Sequence, residues 1–421
     1  MQRRNFCLAL LAASRPAQII PLLGGATAAS FTAQAQQGRP MSNATIDDAM
    51  RRAVDAKDCA GVVVMAANRK GVIYEGAFGL ADIADKRPLQ IDSLFRIASM
   101  TKAITSSAAM QLVEQGRFAI EDPVAKYLPE AANPQVVQSF DAATGAYRLQ
   151  PAAKTLTIRH LFTHTSGLGY GFTDPTTRDF KPRAGETYPI GPLVFEPGER
   201  WLYSTSTDWL GKLVEKVSGQ ALEDYFRQKI FTPLGMNDTS YFVPPEKQAR
   251  LVTINRRLAD GGLAKEPTQP PVSGFTPIGG GGLSSTASDY IRFTRALLNG
   301  GELDGARILK DATVTLMGHN HIGALGVPAL KTALPDRSED FSFIADGRDK
   351  WGLGFQISTD AVPAKRSAGT LSWGGINNTY YWLDPARGIT GVIMMQFLPF
   401  ADKRALGVYD AFERGVYGMV G

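Results

Sequence analysis

From Ile97 to Val113 only one side chain, Lys102, ionises near neutral pH. The rest of the run is small, hydroxylic or apolar, which predicts a helix buried on all sides. Ser99 can cap that helix and Gly116 can end it. Before it, "GVVVMAANRKGVIYEGAFG" reads as two β-rich runs around Asn68-Arg69-Lys70-Gly71, a hairpin. Near the C-terminus, "TYYWLDPARGITGVIMMQF" predicts a second hairpin around Asp384-Pro385-Ala386-Arg387-Gly388. Helical spacing marks "TIDDAMRRAVDA" at the start and "DKRALGVYDAFERGVYGMV" at the end. It also marks "TIRHLFTHTSG", "STDWLGKLVEKVSG" and "ALEDYFRQKIFTPLG" in the turn-rich middle. After Gly279-Gly280-Gly281-Gly282, "TASDYIRFTRALLNGG" predicts a helix capped by Thr286, with Asp289 in its first turn.

Strands at both ends and helices between them imply an α+β fold. An antiparallel sheet flanked by helices would be built from residues 44–115 and 277–421, and a mainly helical domain from 116–276. The cleft between them is the expected place for an active site. Residues 1–35 differ in kind. Arg3-Arg4 precede an apolar run, and Ala33-Gln34-Ala35 offers a small-x-small cleavage site, so this segment reads as an export signal of twin-arginine type. Arg15 and Pro16 interrupt the run and argue against a spanning anchor. Residues 36–43 then form a flexible leader, and the expected location is the periplasm, without a membrane anchor.

Composition narrows the function. The net charge of +5 is spread along the chain, and removing Arg3, Arg4 and Arg15 lowers it by three, to +2. No basic block with interleaved aromatics points to nucleic acid. Cys59 would be the lone cysteine of the mature chain, so no internal disulfide is expected. The four histidines are scattered, so neither a metal nor another cofactor is expected.

The chemistry concentrates at Ser99 and Lys102. Residues three apart share a helix face, which brings the amine to the hydroxyl. A serine nucleophile needs such a base, and burial favours the neutral amine. The helix N-terminus adds N–H groups that can hold an oxyanion. No Gly-x-Ser-x-Gly elbow exists, so the α/β-hydrolase alternative lacks its nucleophile, and His164 reads as the holder of a turn.

Four blocks in order make the pattern more specific: "LFRIASMTKAITSSAAMQLVEQGRF", "LTIRHLFTHTSGL", "EPGERWLYSTSTDWLGKLVEKVSG" and "GGGGLSSTASDYIRF". They resemble the serine β-lactamase and penicillin-binding superfamily, and most closely its class C-like branch with the family VIII carboxylesterases. The resemblance implies Ser99 as nucleophile, Lys102 as its partner and Tyr203 as sharer of the general-base role. Trp373-Gly374-Gly375 stands where the family carries a cationic motif. It would line the substrate, with the two glycines admitting it to the backbone, and the Ile376 N–H would complete an oxyanion hole with that of Ser99. Asp208 either orients the Lys/Tyr network and substrate or is an ordinary helix residue. Lys365 and Arg366 could restore a carboxylate site. The implied activity is hydrolysis of short-chain carboxylic esters, small neutral molecules, through an acyl-enzyme. The alternatives are a β-lactamase or D-Ala-D-Ala peptidase on the same fold, or a binding protein without catalysis.

Overall fold

The computed structural model describes residues 43–342 and 347–421. The expected export signal and nearly all of its leader lie outside these residues. An eight-stranded antiparallel sheet organises the fold. Its strands are β1 (Gly61–Asn68), β2 (Val72–Asp82), β3 (Arg87–Pro88), β4 (Lys350–Trp351), β5 (Gln356–Ile357), β6 (Leu371–Gly375), β7 (Thr379–Asp384) and β8 (Ile389–Met394). They lie in the order β4-β5-β6-β7-β8-β1-β2-β3. The two ends of the chain therefore meet where β1 pairs with β8, Val63 facing Met394 and Asn68 facing Ile389. Both expected hairpins form. Asn68 Oδ1 accepts from the Lys70 and Gly71 N–H groups, and Asp384 Oδ1 accepts from that of Arg387.

Alternation along β1 explains why its run is apolar throughout. Val62, Val64 and Ala66 face helices α1 (Asn43–Asp55) and α5 (Lys403–Val420), in a cluster with Tyr380, Trp382 and Phe412. Val63, Met65 and Ala67 face the opposite way, into a larger cluster. That cluster takes in α2 (Thr101–Glu114), α3 (Ser206–Ser218) and α4 (Ala287–Leu298). A strand covered on both faces loses the polar positions of a half-exposed one.

The segment 116–276 carries the helices Ile158–Thr163, Pro175–Asp179, α3 and Leu222–Phe226, and also two hairpins. These pair Gln135–Phe140 with Tyr147–Pro151 and Asn255–Arg257 with Leu263–Lys265. Its core is continuous with that of the sheet, and the described residues form one compact unit. The stretch "ALEDYFRQKIFTPLG" is not one regular helix. It opens into a wide turn at Arg227–Phe231 before ending at Gly235, whose φ of 65° is left-handed.

Several caps follow from side-chain chemistry. Thr286 accepts from the Asp289 N–H at 3.1 Å and starts α4. Asp402 accepts from Arg404 and Ala405 and starts α5. Ser99 does not cap α2. It lies in a 3-10 turn, Ala98–Met100, and the helix begins at Thr101 without a side-chain cap.

Candidate active site

The turn that carries Ser99 is forced into shape at Ala98, whose φ of 45° places a residue with a Cβ in the left-handed region. Such strain persists only where neighbours impose it. Here β6 is one of those neighbours. A Cβ at Gly375 would lie 2.3 Å from the Ile97 carbonyl oxygen, and one at Gly374 would lie 2.7 Å from the Tyr380 ring. The two glycines therefore admit the protein's own backbone and a ring, where sequence reasoning expected them to admit substrate. Their effect is to draw the end of β6, and with it Ile376, against the serine turn. Among the described residues, neither the Ser99 nor the Ile376 N–H donates to a backbone carbonyl. Both are partly exposed residues, as an oxyanion hole requires.

Lys102 lies one helical turn below. Its Nζ donates to Ser99 Oγ at 3.3 Å, to Tyr170 Oη at 3.0 Å and to the Gly280 carbonyl at 2.7 Å. It also stands over the Tyr203 ring, 4.9 Å from the centroid. The glycine run is thus pinned to α2 twice, because Thr105 Oγ1 donates to the Gly279 carbonyl at 2.7 Å. No larger residue fits at position 280. A Cβ there would lie 2.4 Å from Asp208 Oδ1 and 3.1 Å from Lys102 Nζ.

Asp208 sits in the first turn of α3 and accepts from the Gly280 N–H at 2.7 Å. One residue, Gly280, therefore links the two groups: its N–H donates to the Asp208 carboxylate and its carbonyl accepts from the Lys102 ammonium. This orients Asp208 toward the lysine network. Burial pulls the Lys102 ammonium down, but the phenol oxygens of Tyr170 and Tyr203 and the Asp208 carboxylate together outweigh it, so its pKa lies above the ordinary lysine value. That reverses the expectation from burial alone. Burial raises the Asp208 carboxyl against the pull of Lys102 and the Gly280 N–H, and it raises the Tyr170 hydroxyl in the same way.

Tyr203 enters from the segment ahead of α3. Its hydroxyl accepts from Trp373 Nε1 at 3.2 Å, and its ring lies 5.3 Å from that of Tyr170. Trp373 is only 3% exposed and packs edge-on against Trp351. Its indole holds the tyrosine from behind. His164 supports the same wall. It ends the helix Ile158–Thr163 with a left-handed φ of 56°, and its Nδ1 pairs with Ser204 Oγ at 3.0 Å. Burial and the nearby Lys102 keep its imidazole well below the usual range, so it is neutral.

Lys365 and Arg366 do not reach this site. Arg366 is buried against Glu413 of α5, with bonds of 2.7 and 3.0 Å, and Lys365 bridges Glu413 and Asp410 at 2.9 Å. Sequence reasoning missed Tyr170 and Gly280. The only local signals were an aromatic after "HTSGLG" and four consecutive glycines.

Two cavities flank the site. One of about 350 Å³ is lined by Ala98, Tyr241, Leu283 and Ile376 among others. Another of about 300 Å³ lies beside Gly169 and Thr205.

Comparison with known proteins shows what the chain as a whole is similar to. Lovastatin esterase of Penicillium rubens is 30% identical over 88% of this chain and 98% of its own length. The unliganded simvastatin synthase of Aspergillus terreus superposes with a TM-score of 0.77 at 28% identity, covering 90% of this chain and 98% of that one. EstCE1, described as a hydrolase with promiscuous acyltransferase activity, gives a TM-score of 0.67 at 25% identity, with 88% and 98% covered. The profile of the β-lactamase family matches residues 46–413. With that match spanning the serine turn, the lysine helix, the glycine run and the sheet that braces them, the chain belongs to the β-lactamase family.

Proposed function

We propose that this protein is a serine hydrolase that cleaves short-chain carboxylic esters through an acyl-enzyme, in the manner of the family VIII carboxylesterases. The observation that carries this reading is the Ser99–Lys102 contact at 3.3 Å, beside the Ser99 and Ile376 N–H groups, which donate to no backbone carbonyl among the described residues. Ser99 Oγ attacks the ester carbonyl and its proton passes to the Lys102/Tyr203/Tyr170 cluster. The Ser99 and Ile376 N–H groups hold the oxyanion. The cluster returns the proton to the departing alcohol, and water, deprotonated by the same cluster, then releases the acid and restores the serine.

The raised Lys102 pKa has a consequence for this cycle. The cluster must lose one proton before it can take that of Ser99, so turnover should climb into the alkaline range. The name of the lovastatin esterase supports ester chemistry, and the acyltransferase activity named for EstCE1 adds acyl transfer as a second reading. A β-lactam or peptide substrate is less well matched. An indole occupies the place of the family's cation, and Lys365 and Arg366 are engaged by α5. The Arg3-Arg4 pair and the Ala-Gln-Ala site support export to the periplasm.

The test is a parallel assay of p-nitrophenyl acetate, p-nitrophenyl octanoate and a chromogenic cephalosporin, with Ser99→Ala beside the wild type. The acetate should lead the cephalosporin by at least about tenfold in kcat/KM. Ser99→Ala should be inert while folded, and a serine-directed phosphonate should label the Ser99 peptide alone. A faster cephalosporin, or full activity without Ser99, overturns the reading.

A further inference from the structure

The cavity of about 350 Å³ falls in the size range of small-molecule sites. Its position relative to the chemistry says which part of an ester enters it. Ala98, next to the nucleophile, and Ile376, bearer of an oxyanion N–H, both line it. Lys102, Tyr170 and Tyr203, which must reach the leaving oxygen, are not among its lining residues. The alcohol therefore leaves toward the tyrosines, and the acyl chain points into the cavity.

The cavity is apolar for the most part, with Tyr241, Leu283 and Leu398 in its wall, but two arginines, Arg96 and Arg337, also line it. Arg96 is partly buried, and its one hydrogen bond from the side chain goes to a neutral acceptor, the Pro270 carbonyl, at 2.8 Å. Among the described residues no carboxylate lies within 4.0 Å of Arg96 or Arg337, whereas the cavity's one acid, Glu266, is already paired with Arg256 at 2.9 Å. Burial lowers the Arg96 guanidinium without an anion to offset it. A partly buried cation such as Arg96 is stabilised by a carboxylate partner. Here the place for that partner opens onto the acyl cavity.

We infer that the acyl group this enzyme takes ends in a carboxylate, bound by Arg96 and Arg337, so that its substrates are half-esters of dicarboxylic acids. The inference rests on the esterase reading above and specifies its substrate class. Hydrolysis of such a half-ester consumes one water and releases an alcohol and the dicarboxylic acid. The negative charge recognised is on the acyl side, away from the site where the family's cation is replaced by Trp373.

The experiment compares mono-p-nitrophenyl adipate with p-nitrophenyl methyl adipate, a pair of equal length that differs in the charge. A second pair, 4-acetoxybenzoate and its methyl ester, places the charge on the alcohol instead. The half-ester should exceed its methyl ester in kcat/KM by at least about tenfold. That ratio should shrink at about 0.5 M salt, where exposed charges are screened, and again in Arg337→Gln and Arg96→Gln. Arg337 is exposed, so its variant remains informative if Arg96→Gln fails to fold. A ratio near one, with the methyl ester still turned over, overturns the dicarboxylate inference and leaves the esterase reading standing. A charge preference confined to the acetoxybenzoate pair overturns it too, because the anion would then sit with the alcohol. No turnover of any of the four esters removes both.

Discussion

Asp208→Asn isolates the electrostatic part of the lysine network, because asparagine keeps an oxygen that can accept from the Gly280 N–H and removes only the charge. The contacts of a Cβ built at Gly280, 2.4 Å to Asp208 Oδ1 and 3.1 Å to Lys102 Nζ, bound the separation of the two charges. It is at most about 5.5 Å, where opposite charges attract by roughly 3 kcal/mol at an effective dielectric constant of about 20. At about 1.4 kcal/mol per pH unit, losing that attraction should lower the pKa of the cluster by about 2 units. The sign is fixed: without the carboxylate the ammonium is less favoured, the neutral amine appears at lower pH, and the alkaline limb of kcat/KM moves toward acid. The assay is kcat/KM for p-nitrophenyl butyrate from about pH 6 to 10, read at the isosbestic wavelength of the product, with circular dichroism to check the fold. An unmoved limb, or one displaced to higher pH, would refute the coupling of Asp208 to Lys102. A uniform loss of rate at every pH would assign Asp208 to packing.

Two further predictions concern stability. Glu413→Gln should remove about 3–5 kcal/mol, because Arg366 and Lys365 would remain beside a buried neutral amide, and thermal melts should show it without a change in kcat per folded molecule. Burial raises the Asp289 carboxyl to about 6, although it accepts from the Asp238 N–H and from Thr239 Oγ1. Its folded pKa lies above the unfolded one, so the folded state binds the proton more tightly and stability falls as pH rises from about 4 to about 6. Asp289→Asn should therefore gain roughly 1–3 kcal/mol at pH 8 and nothing at pH 4; equal melting shifts at both values would contradict the assignment.

The buried helix and the Ser99–Lys102 pair were legible because both are local. A run without charge and a spacing of three suffice to place them. Tyr203 was legible only through family resemblance, since nothing in its neighbourhood sets it apart from a core tyrosine. The remainder of the site depends on contacts that no local periodicity encodes. Tyr170 meets Lys102 across 68 residues, and Gly280 meets it across 178. The charge state of Lys102 escapes the sequence for the same reason. Burial is visible in an apolar run, whereas the offsetting carboxylate and phenols arrive from distant segments. Trp373-Gly374-Gly375 was read as a substrate edge, but its glycines answer to Ile97 and Tyr380, and its indole to Tyr203.

The glycine run's double attachment to α2 bears on how the protein comes to life after synthesis. Lys102 and Thr105 hold peptides that the ribosome makes far later, and the Trp373 bond to Tyr203 waits for residues near the end of the chain. Contacts of such long span form late in folding, once loop closure has been paid for by the rest of the core. Lys102 and Tyr203 are thus each held by a segment that arrives after them. An N-terminal fragment released early, even one with a well-formed helix and its Ser-x-x-Lys pair, would lack the groups that set the lysine's charge. Catalysis would then switch on at the last step of maturation, and activity could be used to time completion of the whole fold in a translation or refolding experiment.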